Sequence, residues 1–178
     1  TYLSVNFDSM SGSSKPIPKR AYKGEAKYFD NTKAKPDNDV VHIYNASQIT
    51  DLGDLSGQYT SEFHGGSATR LQRLILGSDD IVNNELKFLS LGNNKLLKLL
   101  NVKNCPNLAS DIDLSGCSGI EEVYFDGTSI TALVLPKGGS CKTLHLPETI
   151  TNLTVLNHKV TEFVMPNYSN LSTLRSEE

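Results

Sequence analysis

Apolar residues recur in one fixed pattern from Leu71 to the C-terminus. Each unit has an apolar residue, two variable residues, a second apolar residue, one variable residue and a third apolar residue. The start of the unit advances by about 11 residues on average, and two consecutive units mostly span 19 to 23 residues, which is a repeat length typical of solenoids. The units are Leu71-Leu74-Leu76, Leu86-Leu89-Leu91, Leu97-Leu100-Val102, Ala109-Ile112-Leu114, Ile120-Val123-Phe125, Ile130-Leu133-Leu135, Cys141-Leu144-Leu146, Ile150-Leu153-Val155, Val160-Phe163-Met165 and the incomplete Leu171-Leu174.

The spacing within each unit predicts a short strand. The last two apolar positions are two residues apart, so both side chains point to one side of an extended segment and the residue between them points to solvent. The first apolar position closes the core from the preceding turn. One unit cannot bury its apolar side alone, whereas coils stacked about 4.8 Å apart form a continuous core. We therefore expect a mainly β solenoid, with short strands on one or both faces and little helix.

A second recurring position follows each unit. The third residue after the last apolar anchor lies where the chain turns sharply and leaves backbone groups pointing inward, and a small hydrogen-bonding side chain satisfies such groups. This position accounts for two of the three cysteines, and Cys141 falls on an apolar anchor instead. The residues at this turn position are Asn94, Cys105, Cys117, Thr128, Gly138, Thr149, His158 and Tyr168.

The pattern weakens toward the N-terminus. Degenerate units begin at Val40 and Ile49, and Thr1–Val5 resembles half a unit. We therefore divide the chain into an irregular N-terminal segment, residues 1–39, and a solenoid, residues 40–178. Terminal repeats of a solenoid need a polar capping element, and neither end shows one. The expectation is a fragment of a longer array, or a chain that meets partner subunits end to end.

Residues 6–39 differ from the rest in composition. They are rich in Lys, Pro, Ser and Asp, and only one of the 23 leucines, Leu3, lies before Leu52. Between Lys15 and Lys35, seven basic residues oppose two acidic ones. Such a stretch fits a loop or hairpin with a solvated basic face, or a contact with an anionic polymer. The single arginine in it and the acidic remainder of the chain favour the loop, with no nucleic-acid partner.

The repeat residues resemble a known family. The segments Leu97–Leu108 and Ser129–Pro136 look like the short, 21-residue leucine-rich repeats of bacterial surface proteins. The run from Gly116 to Leu153 is similar to repeats in tail or virion proteins of gut-bacterial phages. The resemblance implies a leucine-rich-repeat solenoid, a role in interaction or virion structure, no catalytic motif, and a place in a virion or on the bacterial cell surface.

The chemistry-bearing residues do not assemble into a catalytic or metal motif. The four histidines lack the spacing of zinc ligands. Asp111 and Asp113 flank Ile112, which places both carboxylates on the outward face of one strand, where we expect a solvated pair rather than an acid–base couple or a Ca²⁺ site. No apolar run approaches the length of a membrane span, and the net charge of the 178 residues is −3. We predict no enzyme, no metal and no cofactor.

The outward positions predict where a partner binds. One face carries Phe88, Asp111, Ala132 and Asn152 beside Ser90, Asp113, Val134 and Thr154. The other face mixes aromatic, apolar and acidic side chains, which suits a protein partner better. It is our candidate interaction face and consists of Leu99, Asn101, Glu122, Tyr124, Thr143, His145, Glu162 and Val164.

These observations favour a non-enzymatic structural or protein-interaction module, a fragment of a larger phage tail or surface assembly protein that binds protein partners or copies of itself. The alternative is a bacterial surface adhesin that binds a host protein or glycan through a repeat face. A glycan has less support, because the chain has no tryptophan and 7% aromatic residues. A third class, a hydrolase of cell-wall polymer, requires a neighbouring catalytic domain. A further alternative is that neither face binds anything and that the repeat array serves only as a spacer.

Overall fold

The structure, a computed structural model, describes residues 3–6, 40–42, 46–156, 158–166 and 170–176. In these ranges the chain forms short strands joined by turns, with two single 3₁₀ turns at Ala46–Gln48 and Ser56–Gln58. The strands are β1 (Leu3–Asn6), β2 (Val40–His42), β3 (Asp51–Asp54), β4 (Thr60–His64), β5 (Arg73–Ile75), β6 (Phe88–Ser90), β7 (Leu99–Asn101), β8 (Ile112–Asp113), β9 (Glu122–Tyr124), β10 (Ala132–Val134), β11 (Ser140–His145), β12 (Asn152–Thr154), β13 (Lys159–Val164) and β14 (Thr173–Arg175).

The strands stack into parallel sheets. The long sheet has the order β13-β11-β9-β7-β5-β3. β1 and the even-numbered strands form an N-terminal sheet, β2-β1-β4-β6, and a C-terminal sheet, β14-β12-β10-β8. The strand pairs of the described residues are all parallel, as expected when each coil lays its strand directly on the preceding coil. The predicted mainly β solenoid is confirmed, and strands line both faces.

The predicted anchors form one continuous core. The three leucines of the first unit, Leu71, Leu74 and Leu76, have no exposed surface, and the later anchors as far as Leu153 are buried as well, except Ala109. On the three-residue strands from β5 to β12 the central residue is buried and its two neighbours are half-buried or exposed, as in Ala132–Val134. The alternation of apolar and polar residues therefore sets which side of every strand enters the core.

One predicted anchor is wrong. Ala109 is exposed, and Leu108, one residue earlier, is fully buried in its place. The spacing from this position to Ile112 is four residues instead of three, because the larger side chain fills the core better than alanine and the approach turn accommodates one more residue. The last units also depart from the pattern, since Phe163 is 39% exposed and Leu174 is 57% exposed.

The coils differ in length more than expected. Leu74, Leu100, Val123, Leu144 and Phe163 occupy equivalent positions in the long sheet, so successive coils shorten from 26 residues to 23, 21 and 19. The 26-residue coil exceeds the predicted range.

The N-terminal strand joins the solenoid from a distance in sequence. β1 lies between β2 and β4 and pairs with both in parallel, so 33 residues separate it from its neighbour β2. The predicted half-unit at Thr1–Val5 is thus a strand from Leu3 onward. Thr1, Tyr2, Ile43, Tyr168 and the basic stretch between Lys15 and Lys35 lie outside the described residues.

The turn position behaves as predicted in several coils. The Asn94 side-chain amide donates to the carbonyls of Gly65 and Leu91, and the Thr128 hydroxyl donates to the Phe125 carbonyl at 2.8 Å. His158 carries a larger side chain than the small ones expected at this turn position, and its imidazole connects two coils. Nδ1 lies 2.8 Å from the Pro136 carbonyl, and Nε2 accepts the Cys141 N–H at 2.9 Å.

Candidate interaction face

The eight predicted residues form two columns on the long sheet. In one column Leu99, Glu122, Thr143 and Glu162 stand opposite each other on consecutive strands. In the other column the same strands align Asn101, Tyr124, His145 and Val164. All eight are half-buried or exposed, and none belongs to the core. The structure therefore brings the whole predicted set together on one surface.

Tyr124 is the centre of this surface. Its hydroxyl donates to Glu122 Oε2 at 3.1 Å, and its ring centroid lies 4.9 Å from the His145 ring. The Lys103 ammonium lies 5.2 Å from the Tyr124 ring centroid, within the range of a cation–π contact. Partial burial, followed by the Glu122 carboxylate, raises the pKa of the Tyr124 hydroxyl, so it remains a neutral donor. An aromatic ring with a fixed polar end results.

Charged side chains surround the His145 side of Tyr124. Asp126 places its carboxylate 3.1 Å from His145 Nδ1 and 3.9 Å from the Lys103 ammonium. Lys103 also contacts Asp79 at 2.9 Å. These charged groups contact each other, and through Lys103 and Asp126 they hold the Tyr124 and His145 rings in place.

A second set of charges borders the first column. Glu121 lies between Lys98, at 3.1 Å, and Lys142, at 2.5 Å, so one carboxylate joins three successive coils. The hydrogen bond from Lys142 is the main reason that the pKa of Glu121 is lowered, and the same contact raises the pKa of Lys142. Both groups are charged at neutral pH and form a polar edge beside the central rings.

Sequence reasoning missed two residues of this surface, Lys103 and Asp126. Each directly follows the last apolar anchor of its unit, Val102 or Phe125, and a search for a third column at that position would have found both. Leu96, 47% exposed, is a further apolar surface residue that the repeat pattern did not single out.

The remaining sequence candidates lie elsewhere. His64, on the N-terminal sheet, contacts Glu62 at 3.1 Å and the Phe88 ring at 4.7 Å between centroids. Asp111 and Asp113 lie at the edge of the C-terminal sheet, both exposed. Among the described residues no His, Cys, Asp or Glu cluster is placed to hold a metal ion, and none of their helices has the length and apolar character needed to cross a bilayer.

The three thiols lie away from the surface. Cys105, Cys117 and Cys141 are buried, and burial raises the pKa of the Cys105 thiol to about 12 and those of Cys117 and Cys141 to about 11. A thiol of this kind stays protonated at neutral pH and is a poor nucleophile.

Comparison with models of known protein families, with curated proteins and with solved structures found no match.

Proposed function

We propose that the chain is a non-enzymatic interaction module that binds a protein partner, or another copy of itself, through the candidate interaction face. The observation that carries this proposal is the pair of in-register columns across β7, β9, β11 and β13, with Tyr124 at their centre. Protein interfaces draw most of their binding energy from a few central aromatic side chains inside a polar border. The two rings and the Lys98–Glu121–Lys142 edge have this arrangement.

Rigidity supports the same role. Tyr124 is fixed by its two neighbours in the chain, Val123 and Phe125, which are both buried without exposed surface. A preordered surface loses little conformational entropy when a partner binds. We further propose that the module is a leucine-rich repeat within a phage tail or another bacterial surface assembly. The support for that setting is the resemblance of the repeat residues to such proteins.

Cross-linking in the native assembly tests the proposal. Virions and cell envelopes from a culture that produces the protein are treated with an amine-reactive cross-linker, and the linked peptides are identified by mass spectrometry. Lys98 and Lys142 border the interaction face and should link to a partner polypeptide, whereas the exposed Lys87 and Lys137, on other surfaces, should not. Links that arise equally from all four lysines would contradict a specific face.

Once a partner is identified, a substitution measures the contribution of the central ring. Tyr124→Ala should weaken binding at least tenfold, since central aromatic residues contribute about 2 kcal/mol or more. Asn152→Ala, an exposed residue of the C-terminal sheet, should bind as the native chain does. Recovery of the chain from intact cell surfaces, with no copy in virions, would favour the adhesin alternative over a tail protein.

A further inference from the structure

The even-numbered strands are interrupted at one point. β6 ends the N-terminal sheet and β8 begins the C-terminal sheet, and no ladder of hydrogen bonds joins these two strands. The coils nevertheless touch at the following turn, where Cys117 Sγ lies 3.9 Å from the Gly92 carbonyl. The result is a seam on one side of the solenoid, while β5, β7 and β9 remain paired on the opposite side.

The seam leaves backbone groups without partners among the described residues. In other coils the N–H after a strand donates to the last carbonyl of the next strand, as Leu114 does to Val134 at 2.8 Å and Gly65 to Ser90 at 2.7 Å. The equivalent bond, from the Leu91 N–H to the Asp113 carbonyl, is not formed. Unpaired backbone groups are costly unless water or a ligand satisfies them.

A groove of about 390 Å³ lies over this seam. Its volume falls within the range of about 300–1,000 Å³ that small-ligand sites occupy. It is lined by an aromatic ring, two carboxylates, two hydroxyls, a side-chain amide and the seam backbone, and it contains no basic residue. The ring is that of Phe88, the carboxylates belong to Asp111 and Asp113, and the amide belongs to Asn93.

The two carboxylates of the groove are held in place by hydrogen bonds but keep further hydrogen-bonding capacity. Asp111 Oδ1 accepts the Thr131 hydroxyl at 3.2 Å, and Asp113 Oδ1 accepts the Ser115 N–H at 2.8 Å. Each carboxylate therefore keeps its second oxygen for another donor, and neither forms an ion pair within the described chain. Glu121 and Asp126 on the long sheet, by contrast, both contact lysines. Phe88 is 38% exposed, and its ring is steadied by the His64 ring.

We propose that this groove binds a ring of a neutral saccharide. Sugar hydroxyls both donate and accept, which matches a lining that offers carboxylate and carbonyl acceptors beside the Leu91 N–H and the Asn93 amide. The apolar side of a sugar ring fits against the exposed face of Phe88. The two carboxylates, without a nearby base in the lining, repel acidic sugars. This site is separate from the candidate interaction face and does not depend on it.

An NMR titration of the full, ¹⁵N-labelled chain tests the site. The probes are chitobiose, cellobiose and lactose, with digalacturonic acid as the acidic counterpart. At least one neutral disaccharide should cause saturable shifts of the Leu91, Gly92 and Asp113 amide signals, and the acidic disaccharide should cause none. The absence of such shifts with all three neutral probes would overturn the proposal. So would shifts of these amides by arginine amide alone, which would indicate a basic side chain as the occupant.

Substitutions locate the binding. Phe88→Ala and Asp113→Asn should each lower the affinity for the neutral disaccharide at least tenfold, while the amide signals away from the groove stay unchanged. The matched controls are Val82→Ala and Asp80→Asn, which remove an exposed apolar group and a charge outside the groove. Equal loss in the controls would show a general effect and contradict the assignment. Because none of these residues lies on the long sheet, failure here leaves the proposed protein interaction untouched.

Discussion

At the scale of single residues, adjacent positions on a strand have opposite environments. Leu133 is 1% exposed and stands in register between Ile112 and Leu153 of the neighbouring strands, while its neighbour Ala132 points outward. The difference follows from the two-residue period of an extended chain. The same substitution at the two positions should therefore have very different consequences for stability.

Leu133→Asp should unfold the array, because it buries a charge without a partner, at a cost of several kcal/mol. Ala132→Asp, on the same strand, should change the free energy of unfolding by about 0.5 kcal/mol or less. Urea denaturation followed by circular dichroism measures both. Comparable losses of stability in the two variants would contradict the assignment of inside and outside.

The cysteines provide a second prediction at this scale. Since burial keeps the thiols of Cys105, Cys117 and Cys141 protonated, the native chain should react slowly with the thiol reagent DTNB at pH 8. In concentrated urea, which unfolds the chain and exposes the thiols, all three should react rapidly with DTNB. Ser118→Cys, an exposed position beside Cys117, serves as the control and should add one fast thiol to the native chain. Fast labelling of the unsubstituted native chain would show that the core opens at these turns.

At the scale of elements, contacts between successive coils align the strands. The carboxylate of Glu121, just before β9, contacts Lys98 of the preceding coil and Lys142 of the following one. Both lysines are exposed and Glu121 is half-buried, so the contacts align neighbouring strands and add little to stability. Their effect should appear in the titration of the carboxyl group.

The Glu121 carboxyl should titrate below its ordinary pH range in the native chain. The pKa of Glu121 in the folded chain is lowered, chiefly by the hydrogen bond from Lys142. The ionised carboxylate therefore stabilises the folded state at pH values above its unfolded pKa, and this contribution is lost as the pH falls through the folded pKa. In Lys142→Met the pKa should rise part of the way back, because Lys98 remains. Carbon-13 NMR of the carboxyl group measures the shift. Lys137→Met, which removes a lysine away from Glu121, should leave the titration unchanged.

At the scale of the whole molecule, the sequence predicts the features that repeat and misses those that occur once. The core columns and the interaction face follow from local spacing, which recurs in most of the coils. The insertion of β1 between β2 and β4 depends on pairing across a long intervening segment, and no local pattern specifies it. The seam between β6 and β8 depends on how two coils of different length fit together. The burial of Leu108 in place of Ala109 depends on side-chain volume, which a pattern of apolar and polar positions does not take into account.

The stability of a solenoid is distributed along its axis, because each coil contacts only its neighbours. Hydrogen exchange should reveal the distribution. The Val102 and Phe125 amides, each bonded at 3.0 Å to the next coil and surrounded by fully buried anchors, should exchange most slowly. The Val155 amide donates to Arg175 in the last coil, where Leu174 is largely exposed, and should exchange earlier through local opening.

The Leu91 amide distinguishes the seam from ordinary fraying. It lies well inside the array, on a buried residue, yet it has no backbone acceptor, so it should exchange faster than the Leu114 and Leu135 amides at the same position of later coils. Mass spectrometry with residue resolution compares the three amides in one experiment. If Leu91 were as slow as Leu114, the strands β6 and β8 would be paired in solution and the groove above them would be closed.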